Sequence, residues 1–416
     1  MYVNMKLILF AFICSSTYAT SKNCFWNSQN VYKYFSSKTP YNSVRGDIRD
    51  SLVNLKACKP VSVWALIRHG KRTPGLDYKQ NMIDSTIIKE HALLSYQKGN
   101  SELCAQDIEN LLEFKFDNEI FTKTHGLTDE GYTELYGIGR RLKEAFNKLL
   151  SDLEYGSYSI RPAYGDWVED GVDGFIKGLS DKPMIVQKAN PHYDIMAPYE
   201  HCIKYTQGVK YNPNTYNEAS KYQATPEFIA AKERIQKRVG LNYRLTDTNM
   251  TSLYDLCRYT WSGINNKASP WCALLTIEDL QVIEYYGDLR HYYRNGPGSP
   301  INEIFGQIPL ADLYKTFRDR KYGSGKKITT YLTHATMMDM TYTALGWFTE
   351  RDPLTSVYRD PHRKWRSSWL APFAANLIAV LYKCLDGVNE NFKVMFYLNE
   401  NPVTSICQKG VCAWQE

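Results

Sequence analysis

Apolar and amphipathic segments alternate along the chain, and the first of them predict a strand that leads into a helix. The segment KPVSVWALIRHG, residues 59–70, is rich in valine, leucine and isoleucine and ends at a glycine, which predicts a buried strand followed by a turn. In LTDEGYTELYGIGRRLKEAFNKLL, residues 127–150, apolar side chains recur on one face behind Thr128, which predicts an amphipathic helix with a threonine cap. This order favours an α/β layer.

The rest of the chain is first helical and then strand-like in pattern. Residues 185–320 contain helical segments such as ATPEFIAAKERIQKRV and TIEDLQVIEYYGDLRHYY. Strand character returns in ITTYL, from residue 328, and in NLIAVLYKC and NFKVMFYLN, which predict a hairpin. We therefore predict an α/β core formed by residues 20–75, 126–184 and 321–416, with residues 76–125 and 185–320 inserted as an α-helical cap domain.

The N-terminus predicts export from the cell. Residues 1–19 combine Lys6, the apolar run LILFAFIC and small residues near Ala19, a pattern typical of a secretory signal peptide. This run is too short to span a bilayer, and we expect a secreted protein without a membrane anchor. In that compartment Asn249, in the sequon Asn-Met-Thr, is a candidate glycosylation site, with an unmodified sequon as the alternative.

Cysteines should be oxidised in the same compartment. Nine remain once Cys14 leaves with the signal, so we expect disulfides and one unassigned thiol. Short separations make two pairs the first candidates: Cys257 with Cys272, and Cys407 with Cys412. The chain has no CxxC motif and no histidine pair spaced for one helical face, and we expect no metal site.

The overall charge is mild. Fifty Lys and Arg residues against 44 Asp and Glu residues give a formal net charge of +6. Because the cations are scattered along the chain, we expect no nucleic-acid partner. An acidic small ligand is compatible with this charge.

Candidate chemistry is concentrated in RHGKRTPG, residues 68–75. Arg68, His69 and Arg72 share one turn directly after the predicted strand, where open α/β sheets usually place ligand-binding groups. Two guanidinium groups can bind phosphate oxygens bidentately, and an imidazole can attack phosphorus. A solvated basic loop is the alternative.

The order Arg-His-Gly-x-Arg-x-Pro resembles the signature of the histidine acid phosphatases, whose second motif, His-Ala or His-Asp, is matched by His334-Ala335. Longer segments look like one branch of that family, the multiple inositol polyphosphate phosphatases. They lie between residues 55 and 400 and include KPVSVWALIRHGKRTP, LTDEGYTELYGIGRRL, ASPWC, THATMMDMTYTALGWFTERDPLT and HRKWRSSWLAPFAANLIAVLYKC.

The resemblance implies a fold and a reaction. The fold is a histidine-phosphatase (phosphoglycerate-mutase-like) three-layer α/β core with an α-helical insertion domain. The reaction is hydrolysis of inositol polyphosphates through a phosphohistidine, without a metal or other cofactor. By the same resemblance, His69 would be the nucleophile, Arg68 and Arg72 would hold the phosphate, and His334 would add charge to the transition state.

Two positions depart from the pattern of this branch. Where its members follow His-Ala with a glutamate, this chain has Thr336, whose hydroxyl is far too weak an acid to protonate a leaving alcohol. An ungapped match of the segment ending in FIKGL, residues 175–179, places Trp167 where members carry a third pocket arginine. If that register is wrong, Arg161 reaches the site instead. The departures predict weakened catalysis.

Other charged residues are open to two interpretations. Asp339, three residues after Thr336, is either a replacement acid or an N-cap or surface carboxylate. Lysines and arginines that either contact a polyphosphate or are simply solvated are Lys71, Arg363, Lys364 and Arg366. The candidate substrate-binding residues beside the catalytic set are therefore Lys71, Arg161, Thr336 and Asp339.

Three functions are compatible with these residues. The first is a secreted phosphomonoesterase that forms a phosphohistidine at His69 and turns over slowly. The second is a secreted pseudophosphatase that binds a small phosphorylated or other ligand in the same pocket without turnover. The third is a purely structural or partner-binding protein. The retained His69 favours the first, because ligand binding alone does not require a nucleophile.

Overall fold

A mixed β-sheet forms the centre of the protein. The computed structural model describes residues 24–25, 31–50, 55, 57–115, 125–191, 194–264, 268–386 and 389–415, so the predicted signal peptide lies outside the described residues. In this part of the chain the sheet has seven strands in the order β2-β3-β1-β4-β5-β6, with β7 also paired to β5. The strands are β1 Cys58–Arg68, β2 Tyr158–Pro162, β3 Ile328–Thr333, β4 Asn376–Asp386, β5 Asn389–Leu398, β6 Asn401–Pro402 and β7 Val411–Ala413.

The strand register brings two distant turns together. β1 is parallel to β3, with Arg68 opposite Thr333, and antiparallel to β4 on its other side. Because carboxyl ends of neighbouring parallel strands meet at one edge of a sheet, the turns after Arg68 and Thr333 are adjacent. The predicted strands in residues 59–70 and 328–332 and the predicted β4–β5 hairpin are confirmed.

Helices cover the sheet and extend beyond it. Their bounds are α1 Leu76–Ser85, α2 Ile88–Gln97, α3 Ala105–Glu113, α4 Asp129–Ala145, α5 Asn147–Leu150, α6 Asp166–Leu179, α7 Ile203–Tyr205, α8 Asn217–Gln223, α9 Pro226–Val239, α10 Asp247–Tyr259, α11 Ile277–Arg294, α12 Ile301–Lys321, α13 Ala335–Leu345 and α14 Ser367–Leu370. Short 3₁₀ turns at Val31–Tyr34, Ser36–Lys38 and Tyr41–Ser43 precede β1. None of the described helices has the length and apolarity needed to cross a membrane.

The first turn of α4 supports the turn after β1. Thr128 caps α4 as predicted, since its hydroxyl accepts a hydrogen bond from the backbone N–H of Gly131. A Cβ added to Gly70 would lie 2.2 Å from the carbonyl oxygen of Gly131. The two backbones therefore touch, and only glycine fits at position 70 without separating them.

Helix α12 packs on the sheet although it lies inside the segment predicted to form the cap. The indole Nε1 of Trp64 on β1 donates a hydrogen bond of 3.0 Å to Asp312 of α12. On its other side, Gly306 of α12 approaches the carbonyl of Met340 in α13 so closely that an added Cβ would lie 1.9 Å away. Residues 301–320 thus contact the sheet, and the division of the chain into core and cap stays a prediction.

Disulfides join distant segments as well as near ones. The structure pairs Cys257 with Cys272 and Cys407 with Cys412, the two pairs suggested by their separation. It also pairs Cys24 with Cys104 and Cys58 with Cys384, the latter across 326 residues between β1 and β4. Among the cysteines that the structure describes, Cys202 is the free thiol. Asn249 lies in the first turn of α10, where its side-chain oxygen accepts from the Thr246 hydroxyl at 2.8 Å, and its glycosylation stays a prediction.

Candidate active site

His69 and His334, 265 positions apart in the printed sequence, meet at the edge of the sheet. His69 directly follows β1, and its backbone N–H donates to the Thr333 carbonyl at 3.0 Å. His334 directly follows β3 and is the N-cap of α13. The centroids of the two imidazole rings are 5.9 Å apart, so the two motifs form one site.

The hydrogen bonds of His69 fix which ring nitrogen is available. Its Nδ1 lies 2.8 Å from the carbonyl oxygen of Gly70. A carbonyl can only accept, so Nδ1 carries the hydrogen and Nε2 keeps a free electron pair. Burial, followed by the charges of Arg68 and Arg72, lowers the pKa of His69 well below its usual value. The ring is therefore neutral and nucleophilic at neutral pH.

Arg68 is a buried cation held by backbone carbonyls. Its Nη1 donates to the Ser37 carbonyl at 2.5 Å and to the Ala371 carbonyl at 2.7 Å. The guanidinium carbon lies 4.9 Å from the centroid of Phe373. Burial, with Arg72 second, lowers the pKa of Arg68 to about 9, so the side chain stays charged at neutral pH. Within the described structure its buried Nε has no hydrogen-bond partner, which leaves a donor for an anionic ligand.

Trp167 occupies the pocket beside Arg72 and both histidines. The ring centroid of Trp167 lies 5.6 Å from that of His334 and 6.3 Å from that of His69, and 5.9 Å from the guanidinium carbon of Arg72. Buried nitrogens without a hydrogen-bond partner in the described structure include Nε of Arg72 and Nε1 of Trp167. The pocket thus holds an aromatic ring with one N–H donor at the position that the ungapped match assigns to it.

His334 is neutral at neutral pH in the unliganded protein. Burial lowers its pKa to about 4, opposed by the charge of Glu200 and assisted by Arg72 and Arg68. Its expected role as a positive charge therefore needs a bound anion, because a nearby negative charge favours the protonated ring. Thr336 lies in the first turn of α13 behind this histidine.

Lys71 and Arg161, both candidate substrate-binding residues, do not lie where the sequence led us to expect them. The ammonium of Lys71 donates a hydrogen bond to the backbone carbonyl of Trp261 and lies 3.8 Å from the centroid of the Trp261 ring. Lys71 is therefore neither solvated nor placed to contact a polyphosphate, the two roles considered for it from the sequence. Arg161 pairs in register with Tyr331 on β3, two residues before Thr333. It therefore lies about 6.6 Å below the level of Arg68 along the strands, which favours Trp167 as the pocket residue.

Asp339 and Arg363 are buried, against the surface role considered for them, whereas Lys364 is exposed and Arg366 is partly buried. Asp339 is 1% exposed in the second turn of α13, and its Oδ2 lies 2.7 Å from Nδ1 of His291. It is therefore neither the N-cap, which is His334, nor a surface carboxylate. The guanidinium of Arg363 pairs with Asp288 at 2.5 Å and with Glu284 at 3.1 Å. Arg366 also pairs with Glu284, at 3.0 Å, and this network ties α11 to the segment before α14.

Sequence patterns missed several neighbours of the site. Lys38, on the 3₁₀ turn Ser36–Lys38, has a pKa lowered well below its usual value by burial and by the charges of Arg68, Arg258 and Arg72. His125 packs against Trp167 with ring centroids 5.0 Å apart. The charge of Glu200 raises the pKa of His334, against the effect of burial. These residues come from irregular segments, and no periodicity or motif marks them.

The described residues offer one cluster with metal-ligand spacing, formed by Cys24, Cys104 and Asp107. The two sulfurs are joined as a disulfide and so cannot act as thiolate ligands. The chemistry that the site itself provides is a neutral imidazole among cations, which fits attack on a phosphate ester.

Comparisons with known proteins agree with this geometry. A family model described as "Histidine phosphatase superfamily (branch 2)" matches residues 61–399. Multiple inositol polyphosphate phosphatase 1 of Drosophila melanogaster is 26% identical over 431 residues, which cover 99% of this chain and 90% of that protein. The Homo sapiens protein of the same name is 25% identical over 413 residues, with 90% and 82% covered.

Solved structures share the fold. The phytase from D. castellii aligns with a TM-score of 0.71 and 18% identity, covering 92% of this chain and 83% of that chain. The multiple inositol polyphosphate phosphatase of Bifidobacterium longum, in complex with inositol hexasulfate, aligns with a TM-score of 0.62 and 16% identity, covering 92% and 96%. Since the family model spans most of the chain and includes both histidine turns, this protein belongs to branch 2 of the histidine phosphatase superfamily.

Proposed function

We propose that the protein is a secreted phosphomonoesterase that acts on inositol polyphosphates through a phosphohistidine at His69, with weakened turnover. One observation carries the proposal. The free Nε2 of a neutral His69 lies in a pocket with Arg68, Arg72 and His334. The resemblance to multiple inositol polyphosphate phosphatases supports the choice of substrate class.

The reaction has two steps. Nε2 of His69 forms a bond to phosphorus while the bond between phosphorus and the ester oxygen breaks, and the guanidinium groups of Arg68 and Arg72 stabilise the phosphoryl oxygens. The leaving alkoxide takes a proton from water, because Thr336 cannot supply one. Water then attacks the phosphohistidine, releases inorganic phosphate and restores the imidazole.

The missing acid predicts a dependence on the leaving group. A positioned general acid typically contributes about 10² to 10⁴ in rate, and this contribution is lost for inositol phosphates, whose leaving alcohols need a proton. Aryl phosphates leave as stable phenolates and depend less on that proton. We therefore expect slow hydrolysis of inositol hexakisphosphate and faster hydrolysis of p-nitrophenyl phosphate.

The test compares the full chain with His69→Ala on both substrates, at acidic and neutral pH. Removal of the nucleophile should abolish phosphate release, with a loss of at least about 10⁴-fold. His91→Ala is the matched control, because His91 lies outside the pocket against Tyr243. Turnover that survives in His69→Ala would refute the assignment, and equally fast hydrolysis of both esters would refute the loss of the acid.

A binding protein without turnover is the second candidate, favoured by the position of Trp167. An indole in place of a cation lies against both histidines and offers stacking rather than charge. The signature of this function is saturable stabilisation against heat by inositol hexakisphosphate with no phosphate release. Secretion and glycosylation at Asn249 belong to the proposal, and a shift in mass after treatment with a glycosidase tests both in secreted material.

A further inference from the structure

Asp339, His291 and Ser37 form a second chain of hydrogen bonds beside the phosphate pocket. Oδ2 of Asp339 lies 2.7 Å from Nδ1 of His291, and Nε2 of the same ring lies 3.1 Å from Oγ of Ser37. The amide of Asn295 also donates to Oδ2 of Asp339, at 3.2 Å. The three residues come from α13, α11 and the 3₁₀ turn Ser36–Lys38, so the fold alone brings them together.

The partners fix the direction of each hydrogen bond. A carboxylate accepts, so Nδ1 of His291 carries the hydrogen, and Nε2 accepts the proton of the Ser37 hydroxyl. Nζ of Lys38 donates to the same Oγ at 3.1 Å. Ser37 thus faces a base that a buried acid orients, the relation that activates a serine hydroxyl as a nucleophile.

This serine borders a cavity of about 220 Å³, which adjoins the phosphate pocket because the carbonyl of Ser37 accepts a hydrogen bond from Arg68. Residues on the wall of this cavity include Ser37, Lys38, Tyr78, Tyr254, Arg290 and His291. The preceding residue, Ser36, has a φ of 51°, a strained conformation for a residue with a side chain. The wall carries the basic residues Lys38, Arg258 and Arg290 against the acidic residues Asp77 and Asp255, together with aromatic rings. This excess of basic residues suits a small ligand with an anionic group.

We propose that Ser37 is the nucleophile of a second hydrolytic site that cleaves small acyl esters carrying an anionic group. Oγ of Ser37 bonds to the ester carbonyl carbon while its proton passes to Nε2 of His291. The bond between that carbon and the alcohol oxygen breaks, and the leaving oxygen takes the proton from His291. Water, deprotonated by the same nitrogen, cleaves the acyl-serine, releases the carboxylic acid and restores the hydroxyl of Ser37.

A small alkyl fluorophosphonate tests the nucleophile directly on the full chain. The reagent forms a bond between phosphorus and Oγ of Ser37 with loss of fluoride, and peptide mass spectrometry locates the adduct. We expect labelling at Ser37, and slower labelling by at least about 10²-fold in His291→Gln and Asp339→Asn, because the base or its orienting acid is lost. Hydrolysis of the mono-ester of succinic acid with 4-nitrophenol should fall in parallel.

Two controls separate this site from its surroundings. Ser36→Ala alters the neighbouring hydroxyl, which bonds to Ser367 instead, and should be labelled like wild type. His69→Ala should also be labelled normally, so failure of the phosphatase proposal leaves this one standing. Absence of an adduct on Ser37 in wild type, or an unchanged labelling rate in His291→Gln, would overturn the proposal and leave the three residues as a structural hydrogen-bond chain.

Discussion

The turns after β1 and after β3 lie side by side at the same sheet edge, yet they contribute different functional groups to the pocket. The first turn contributes a neutral His69 and the cations Arg68 and Arg72. The second contributes His334, whose pKa of about 4 leaves it uncharged without a ligand, and then Thr336. In the proposed mechanism, attack on phosphorus and protonation of the leaving oxygen belong to different strand ends, and one of them can weaken while the other remains intact.

The largest change is expected from restoring an acid to the second turn. Thr336→Glu should raise the rate on inositol hexakisphosphate by about 10² to 10⁴, because the leaving alcohol regains a proton donor. The rate on p-nitrophenyl phosphate should change little. Steady-state phosphate release measures both. Thr336→Gln provides the same size without the proton, and an equal gain in that variant would contradict a role for acid catalysis.

A second gain is expected from restoring a cation beside the first turn. Trp167→Arg should raise kcat/KM for inositol hexakisphosphate by about 10²-fold, since one preorganised charge-stabilising donor is typically worth about 10² to 10³. Both ester classes should benefit, unlike with Thr336→Glu, because the charge acts on the phosphoryl group. Trp167→Phe keeps a ring without the N–H and serves as control. A loss of activity in Trp167→Arg would indicate that the indole has its own role in binding.

Separating the turn after β1 from the first turn of α4 should lower both the stability and the activity of the protein. Gly70→Ala places a Cβ 2.2 Å from the Gly131 carbonyl, and we expect a loss of about 1–3 kcal/mol in the free energy of unfolding. Urea denaturation measures this loss. Gly208→Ala is the matched control, because a Cβ there meets nothing within 4 Å. Equal stability of the two variants would show that the turn and α4 are not packed as described.

The smallest expected effect is a rise in the pKa of His334, in the second turn, when an anion binds. Sulfate stays doubly charged over the range tested and should raise the pKa of His334 from about 4. The complex then binds more protons than the free protein, so sulfate affinity should rise as pH falls from 7 to 5, by at most about tenfold per pH unit for this group. Calorimetry measures the affinity, and His334→Asn should flatten the dependence. Arg68, whose pKa is about 9, stays charged in that range.

Local patterns sufficed for the elements that hold the two histidines. β1, β3 and the β4–β5 hairpin were predicted from runs of residues typical of strands, and α4 was predicted from apolar side chains that recur on one helical face. β2 was missed because Tyr158–Pro162 is only five residues long and ends in proline. The helical character of α12 was recognised, but its place on the sheet depends on Asp312 meeting Trp64, a contact that no local pattern contains.

Side-chain direction within the site was less predictable than position. Lys71 lies in the motif, yet its ammonium meets Trp261, which is 190 residues away in the chain. Asp339 is close to His334 in sequence, yet its partner His291 lies 48 residues away. Spacing along a helix fixes which face a residue occupies, but the partner on that face comes from tertiary packing.

The bond between Cys58 and Cys384 has a consequence for cleaved forms of the protein. These cysteines bracket both histidine turns in the sequence, with His69 and His334 between them. A single cut by a protease in the exposed stretch around residues 181–183 would leave two chains that migrate as one until a reductant is added. The cut protein would keep both halves of its pocket on one covalent body.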